Sequence, residues 1–214
     1  LVELYPFGRR AFGFELVPVL EHLRSPVRDH PCTVVCSLRD ILVEKSDRQT
    51  YEARVVRALN HAFDAVLIHS DPEWVRLYDT FSQIDQIRIP LIYTGFITPF
   101  PDPAKVMEIR KQCGLQEDEK LIVASAGGGS VGAGLLKAAV AAFRHLPSCG
   151  RFFLKVFTGP YMDGADVAAL KRSAGHRIVV ERFDPDFVSL LGAADLSVSM
   201  AGYNTCMNIV AAKV

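Results

Sequence analysis

The sequence predicts an α/β protein of two units, each a parallel, doubly wound sheet. Three features carry that expectation. Short apolar runs rich in Val, Ile and Leu alternate with amphipathic helical stretches from end to end. A proline-rich joint, Thr98-Pro99-Phe100-Pro101-Asp102-Pro103, splits the alternation into residues 1–98 and 99–214. Between residues 120 and 145 a strand, a glycine loop and a helix follow in direct succession.

Residues 1–5 form a short strand that ends in Pro6-Phe7-Gly8-Arg9-Arg10. The next stretch places Phe14, Leu16, Val17, Leu20 and Leu23 along one helical side. Residues 32–36 read as a buried strand running into Ser37-Leu38-Arg39-Asp40. Residues 47–61 read as a charged amphipathic helix with Val55, Val56 and Leu59 inward. An apolar strand at 65–68 leads to His69-Ser70-Asp71-Pro72, a short helix at 74–78 follows, and a strand over 90–95 leaves this half. Past the joint come a helix at 104–113, the strand at 121–124 and the helix from Gly132. Strands at 152–157, 177–181 and 196–200 alternate with helices around 166–173 and 187–191, and a last helix opens at Asn204. Trp74 and the scattered Phe residues are expected to fill cores.

The loop Ser125-Ala126-Gly127-Gly128-Gly129-Ser130 has so little side chain that it can turn sharply and approach a ligand. Three adjacent glycines exceed what a tight turn requires. With the helix that follows, the loop's N–H groups make an expected anion site. Gly127, Gly129 and Gly132 also satisfy the dinucleotide spacing, which demands an acidic residue about 20 positions on. The next strand ends in Thr158-Gly159-Pro160 without a carboxylate, and no Gly-Lys-Ser/Thr follows the glycines. A diphosphate site fits these residues better than a nicotinamide site. Ala201-Gly202-Tyr203-Asn204-Thr205 supplies a second helix start, expected to be capped by Asn204 or Thr205. In a parallel sheet both starts face the crevice beyond the carboxyl ends of the strands, where Arg39-Asp40 and His69-Ser70-Asp71 also fall.

Composition narrows the partners. Half of the 214 residues are hydrophobic, enough for one large core or two small ones. Residues 1–98 carry 11 basic and 13 acidic side chains and residues 99–214 carry 13 and 11, so neither half has the field a nucleic acid requires. Cys32, Cys36, Cys113, Cys149 and Cys206 are scattered and odd in number, which points to free thiols in a reducing cytoplasm. Cys32 and Cys36 share a strand face but sit too far apart to bond. His22, His30, His61, His145 and His176 show no metal-ligand spacing. No apolar run is long enough to span a membrane, leaving peripheral membrane contact at most. The absent initiator Met and the uncapped final helix suggest the middle of a longer protein, with both units incomplete.

The glycine loop Gly128-Gly129-Ser130-Val131-Gly132-Ala133 resembles that of glycosyltransferase family 28, which includes the peptidoglycan N-acetylglucosaminyltransferase. The stretch from Gly192 through Asp195 and Gly202-Tyr203-Asn204-Thr205 resembles the family's second nucleotide-binding signature. Pro6-Phe7-Gly8-Arg9-Arg10 and Ser37-Leu38-Arg39-Asp40 are similar to predicted glycosyltransferases grouped with it. The resemblance covers nearly the whole chain and implies a GT-B fold of two Rossmann-like domains. Residues 1–98 would be the second half of the acceptor-side domain, and residues 99–214 the first part of the nucleotide-sugar-binding domain. It further implies a nucleoside-diphosphate sugar, with UDP as the expected nucleotide, used without a cofactor or bound metal. The acceptor is a hydroxyl on a small molecule, a glycan or a lipid-linked compound.

Carried over by position, Gly128, Gly129 and Ser130 approach the diphosphate, and Gly202, Asn204 and Thr205 add helix N-terminal contacts. Three residues beyond that Thr the family usually has a Glu for the ribose hydroxyls. Here stands Asn208, which offers no charged acceptor. The family's general base lies before the region present, so this stretch alone is expected to be inactive. His69 and Asp71 are the base or acceptor-site candidates within it, against a reading as turn formers with Asp71-Pro72 opening a helix. Arg9 and Arg10 either bind an anionic acceptor or pair with carboxylates, while Arg39 is expected to pair, with Asp40 as the near partner. Two other readings use the same crevice: a nucleotide-sugar 2-epimerase or hydrolase, and a non-catalytic nucleotide-sugar-binding protein.

Overall fold

The computed structural model describes residues 1–25, 32–39, 42, 46–146 and 151–214. His30, Asp40 and Cys149 lie outside the described residues. The chain divides into two compact units, Leu1–Ile97 and Thr98–Val214.

In the first unit four strands, β1 (Val2–Glu3), β2 (Val35–Leu38), β3 (Ala65–Ile68) and β4 (Leu91–Tyr93), pair in that order. All three pairings are parallel. The second strand starts at Val35, later than the run beginning at Cys32 suggested. Helix α1 (Gly13–Arg24) links β1 to β2, and α2 (Arg48–Ala62) links β2 to β3. As the periodicity requires, α2 turns Val55, Val56 and Leu59 into the core. Helix α1 does so only with Leu20, while Leu16 and Leu23 are half-buried and Phe14 and Val17 are exposed. The geometry explains the difference. Leu16, Leu20 and Leu23 lie on one stripe, and Phe14 falls roughly 160° around the helix from it.

The buried polar group that organises this unit is Glu52, whose residue is 1% exposed. Its carboxylate accepts from Arg48 Nε (2.7 Å), Ser82 N (3.0 Å), Ser82 Oγ (2.6 Å) and Gln83 N (2.9 Å). It thereby ties α2 to the chain 30 residues away, beside the core ring of Phe81. Ahead of that segment, residues 71–75 form a turn and only Leu77–Asp79 is helical, as a short 3₁₀ turn. The expected helix over 74–78 is absent; Trp74 is 74% exposed, whereas Leu77 and Phe81 are buried in the core.

The second unit runs α3 (Pro103–Gln112), β5 (Lys120–Ser125), α4 (Ala133–Phe143), β6 (Phe152–Phe157), α5 (Gly164–Ser173) and β7 (Ile178–Glu181). It continues with α6 (Phe187–Ala193), β8 (Leu196–Ser199) and α7 (Tyr203–Ala212). Its strands pair in the order β7-β6-β5-β8, all parallel. Alternation along the central strands fills both faces, as a doubly wound sheet demands. Ala124, Leu154 and Val156 join Leu136, Val140 and Phe143 of α4 and Leu170 of α5. Leu121, Val123 and Phe157 join Leu190 and Leu191 of α6, with Val106, Ile109 and Ile209 packed beside them. Asp195 sets the register at the amino ends. Its carboxylate accepts from Leu121 N (2.8 Å), Lys120 Nζ (2.9 Å) and Arg110 Nη1 (3.2 Å). Among the described residues, no helix is long and apolar enough to cross a membrane.

Glu52 makes the first unit acid-sensitive. Burial alone would raise the pKa of its carboxyl, but the hydrogen bonds from Ser82, Arg48 and Gln83 outweigh it and hold the value below normal. The sign follows from linkage: the stabilisation is present above the unfolded-state pKa and is lost as pH falls through the lower folded value. Glu52→Ala should destabilise the unit by on the order of 3 kcal/mol at pH 7, since donors buried against it lose their acceptor. Urea unfolding at pH 7 and pH 3.5 checks this, and the variant should lose less stability on acidification than the wild type. An equal loss in both proteins would remove Glu52 from the account.

Candidate functional site

Strand order creates the site in the second unit. The chain passes from β5 to β6 to β7 on one side and then returns to place β8 on the other side of β5. Strands β5 and β8 are therefore neighbours whose following loops start side by side, with Ser125 opposite Ser199. Open α/β sheets bind ligands at such a reversal. The glycine loop follows β5, and Met200–Gly202 follows β8, so the two sequence-predicted loops do meet at one edge.

The glycines are required in large part by the protein itself. A Cβ on Gly129 would lie 2.2 Å from the Thr158 carbonyl oxygen, and one on Gly159 would lie 2.3 Å from that of Gly127. The loops after β5 and β6 thus touch backbone to backbone. A Cβ on Gly132, at φ +103°, would meet Ala126 Cβ at 3.0 Å and Met200 Cγ at 3.1 Å. Gly129 is buried and its N–H donates to the Ala126 carbonyl (3.2 Å). Gly129 thus shapes the loop, and its neighbours Gly128 and Ser130 are the exposed positions beside it. Gly127, at φ +61°, has open space where its Cβ would be.

Two helices begin at this edge with glycine at the N-cap, Gly132 for α4 and Gly202 for α7. Neither has a side-chain cap nor an acidic residue in its first turn. Elsewhere aspartates cap α2, α3 and α5 through Asp47, Asp102 and Asp163. Asn204 and Thr205 do not cap α7 as expected, because Ala201 turns through φ +53° and the helix starts one residue sooner. They occupy its first turn, where their N–H groups have no acceptor in the helix. Among the described residues the N–H groups of Gly127, Gly128, Ser130, Asn204 and Thr205 make no hydrogen bond.

A cavity of about 260 Å³ opens beside these loops, with Gly127, Thr205 and Asn208 in its lining. Gly128, Gly129, Ser130, Gly202 and Asn204 are outside that lining. Arg182, Phe183, Asp184 and Phe187, which no sequence motif marks, also line the wall. The signal was available: Arg182–Asp184 directly follows β7 at the same carboxyl edge. Arg182 Nη1 donates to the Pro160 carbonyl (3.0 Å), and Phe183 is 70% exposed. Asn208 accepts from Thr98 Oγ1 through its Oδ1 (2.8 Å), so its amide NH₂ is the group left to face the cavity.

In the first unit the candidates separate. His69 is only 8% exposed at the end of β3. Its Nε2 lies 2.8 Å from Ser37 Oγ and its Nδ1 2.7 Å from Thr94 Oγ1. Thr94 donates to the Gly95 carbonyl (3.0 Å), so Nδ1 carries the proton and Ser37 donates to Nε2. Burial, then the Arg39 charge, lowers the His69 pKa and keeps the ring neutral. Asp71 accepts from Glu73 N (2.8 Å) in a turn, and no helix opens there. Arg39 is paired as expected, but with Glu3. Arg9 reaches the other oxygen of Glu3 at 3.4 Å, and Arg9 and Arg10 line a separate cavity of about 460 Å³. Among the described residues, no three His, Cys, Asp or Glu side chains cluster as metal ligands would.

Residues 123–214 match the family model of the glycosyltransferase family 28 C-terminal domain. No curated protein sequence is significantly similar to the chain. Among solved structures, WaaG, a glycosyltransferase involved in lipopolysaccharide biosynthesis, aligns at 17% identity and a TM-score of 0.50 over 98% of this chain and 64% of its own. UGT71G1 of Medicago truncatula, solved with UDP-glucose, aligns at 11% identity and a TM-score of 0.51 over 93% of this chain and 59% of its own. The UDP-forming α,α-trehalose-phosphate synthase of Burkholderia xenovorans, solved with glucose-6-phosphate, aligns at 13% identity and a TM-score of 0.50 over 92% of this chain and 55% of its own. The chain thus spans less than two thirds of each of these proteins, and at such identities the likeness is one of fold. Its two parallel-sheet units have the GT-B fold, and residues 123–214 of the second are similar to the glycosyltransferase family 28 C-terminal domain.

Proposed function

We propose that this chain is the core of a glycosyltransferase that moves a sugar from a nucleoside-diphosphate sugar to an acceptor hydroxyl. The observation that carries the reading is the pair of glycine-capped helix starts, α4 and α7, on adjacent parallel strands with unbonded N–H groups. Each supplies partial positive charge where an anion can approach. Two such starts suit the two phosphates of a diphosphate, whereas the ribose-binding acid of a dinucleotide site has no counterpart at the end of β6.

Within this reading the N–H groups of Gly128, Ser130, Asn204 and Thr205 hold the diphosphate, with Gly129 and Gly202 giving the backbone its path. Asn208 faces the ribose. The exposed ring of Phe183 offers the nucleobase a face, in a cavity that also holds Phe187. UDP is the nucleotide we favour, in keeping with the UDP-glucose bound to UGT71G1 and the UDP-forming synthase of the same fold. As the acceptor oxygen attacks the anomeric carbon, the bond to the diphosphate breaks and charge grows on the leaving oxygen. The fixed N–H dipoles meet that charge without a metal ion. A general base must take the acceptor proton, and His69 and Asp71, both held in hydrogen bonds of their own unit, are not assigned that part. The four free thiols among the described residues fit a reducing cytoplasm.

Full-length protein should bind a nucleoside diphosphate more tightly than a monophosphate or NAD. Ser130→Trp, at an exposed loop position, should weaken that binding at least tenfold, about 1.4 kcal/mol. Calorimetric affinity unchanged in the variant would remove the loop from the site. Product analysis with and without an acceptor alcohol then separates transfer from epimerisation or hydrolysis of the donor.

Asn208 gives a second test. Glu at this position can keep the Thr98 bond with one oxygen and accept from a ribose hydroxyl with the other. A hydrogen bond to a charged group contributes about 1.5–3 kcal/mol against roughly 0.5–1.5 kcal/mol for a neutral one. Asn208→Glu should therefore tighten nucleoside-diphosphate binding several-fold and leave the 2′,3′-dideoxy nucleotide unimproved. If the carboxylate weakens both ligands equally, residue 208 repels the diphosphate and does not face the ribose.

A further inference from the structure

The largest cavity described above lies in the first unit and is formed by residues 6–54 of the sequence. It has about 460 Å³ and opens where the loop after β1 meets the start of α2. Arg9, Arg10 and Arg54 line it, with Ser46, Thr50 and Tyr51. This is again the carboxyl edge of a parallel sheet, since α2 begins beyond the end of β2. We propose that this cavity binds a phosphate monoester, held by the three arginines, and that the phosphate is carried by the sugar acceptor. The second half of that statement rests on the transfer reading above; the first half does not.

Charge bookkeeping within the lining favours a dianion. Arg10 and Arg54 have no carboxylate partner among the described residues, and Arg54 lies over the Tyr51 ring, 5.6 Å from its centroid. Arg9 reaches Glu3 at 3.4 Å, an exposed pair of little strength, and Arg39 holds the other oxygen of the same carboxylate. The one acid in the lining, Asp47, is engaged in capping α2 through Thr50 N (3.2 Å). Three planar forks and one engaged carboxylate leave an excess of two positive charges. A phosphate monoester brings close to two negative charges and three acceptor oxygens, a match that a carboxylate lacks.

The pocket is also built in advance of any ligand. Phe7 is buried, its ring edge-on to Phe81 at 5.5 Å, which anchors the arginine loop in the core. Tyr51 Oη donates to the Phe7 carbonyl (2.7 Å), and burial pushes its hydroxyl up to about 12, so this donor keeps its proton. Arg54 follows Tyr51 by three residues on the same side of α2. Arg9 stands at φ +52°, a left-handed conformation that a side chain of its size rarely adopts unless the surroundings fix it.

The test uses full-length Ser130→Trp protein, in which the second unit's anion site is blocked, and glycerol 3-phosphate as the probe in calorimetry. Glycerol and acetate serve as the neutral and carboxylate controls. Glycerol 3-phosphate should bind, glycerol should not, and acetate should bind at least tenfold more weakly. Adding Arg10→Gln or Arg54→Gln should weaken the phosphate at least tenfold. Because Arg54 stacks on Tyr51, its loss also tests the packing of α2; Arg10, exposed and without a carboxylate partner among the described residues, carries the test where that variant fails to fold. In an otherwise wild-type protein, Arg10→Gln should leave nucleoside-diphosphate affinity as it was. No binding of glycerol 3-phosphate, equal binding of acetate, or binding indifferent to Arg10→Gln overturns the phosphate site. Loss of nucleoside-diphosphate binding alone overturns the donor reading and leaves this cavity standing.

Discussion

Two loops that touch through backbone alone set the shape of the second unit's working edge. Where Gly129 passes Thr158, and Gly159 passes Gly127, there is no room for a Cβ on either chain. That contact packs the end of β5 against the end of β6 and aims Gly127, Gly128 and Ser130 outward. Gly132 does the same on the other flank, against Ala126 and Met200, bringing the start of α4 up to the loop that feeds α7. The open N–H groups depend on these contacts, because a side chain at any of these positions would separate the loops that present them.

The first unit solves the same problem with polar side chains. Its strand ends are tied by Ser37, His69 and Thr94, one hydrogen-bonded row across the ends of β2, β3 and β4. The proton order in that row follows from Thr94 donating to Gly95, which makes His69 a neutral connector and not a free base. Beneath it, Glu52 fixes α2 to the segment carrying Phe81, and Phe81 in turn supports Phe7 and the arginine loop. A buried carboxylate with four donors is thus one step removed from the cavity that Arg9, Arg10 and Arg54 line. Rigidity in that unit is set by hydrogen bonds, whereas in the second unit it is set by the absence of side chains.

Most elements were legible in the residues. Strands at 65–68 and 152–157 follow from apolar runs of strand length, and α2 follows from a clean 3.6-residue period. What escaped was decided by tertiary neighbours. The side of α1 that the core covers could not be chosen from five apolar residues spread around it. Trp74 reads as a core residue by type, yet it lies in a turn with its ring exposed while Leu77 and Phe81 are the buried residues of that segment. The start of α7 moved because Ala201 takes a left-handed turn, a choice no propensity assigns to alanine. Gly129 reads as a place for a ligand because the sequence cannot show that the loop after β6 lies against it. Arg182 and Phe183 went unnoticed since they form no motif and matter only through the strand end they follow.

The exchange of a carboxylate for Asn208 looks at first like a loss at the ribose. The hydrogen bonding gives it another meaning. A ribose hydroxyl both donates and accepts, so it can be held by a protein donor as well as by an acceptor. With Oδ1 engaged by Thr98, Asn208 turns its NH₂ toward the cavity as a donor. A carboxylate could never present that group, and in Thr98 it would share its charge with a neutral hydroxyl at the joint between the units' sequences. A neutral residue here also adds no negative charge beside the start of α7, whose first turn holds no acidic residue. Within the proposed reading, position 208 would meet the ribose through a reversed hydrogen bond, weaker than the charged one but free of its repulsion. The same Thr98 links the start of the second unit's chain to its last helix, so the residue that orients Asn208 also fixes where α7 lies.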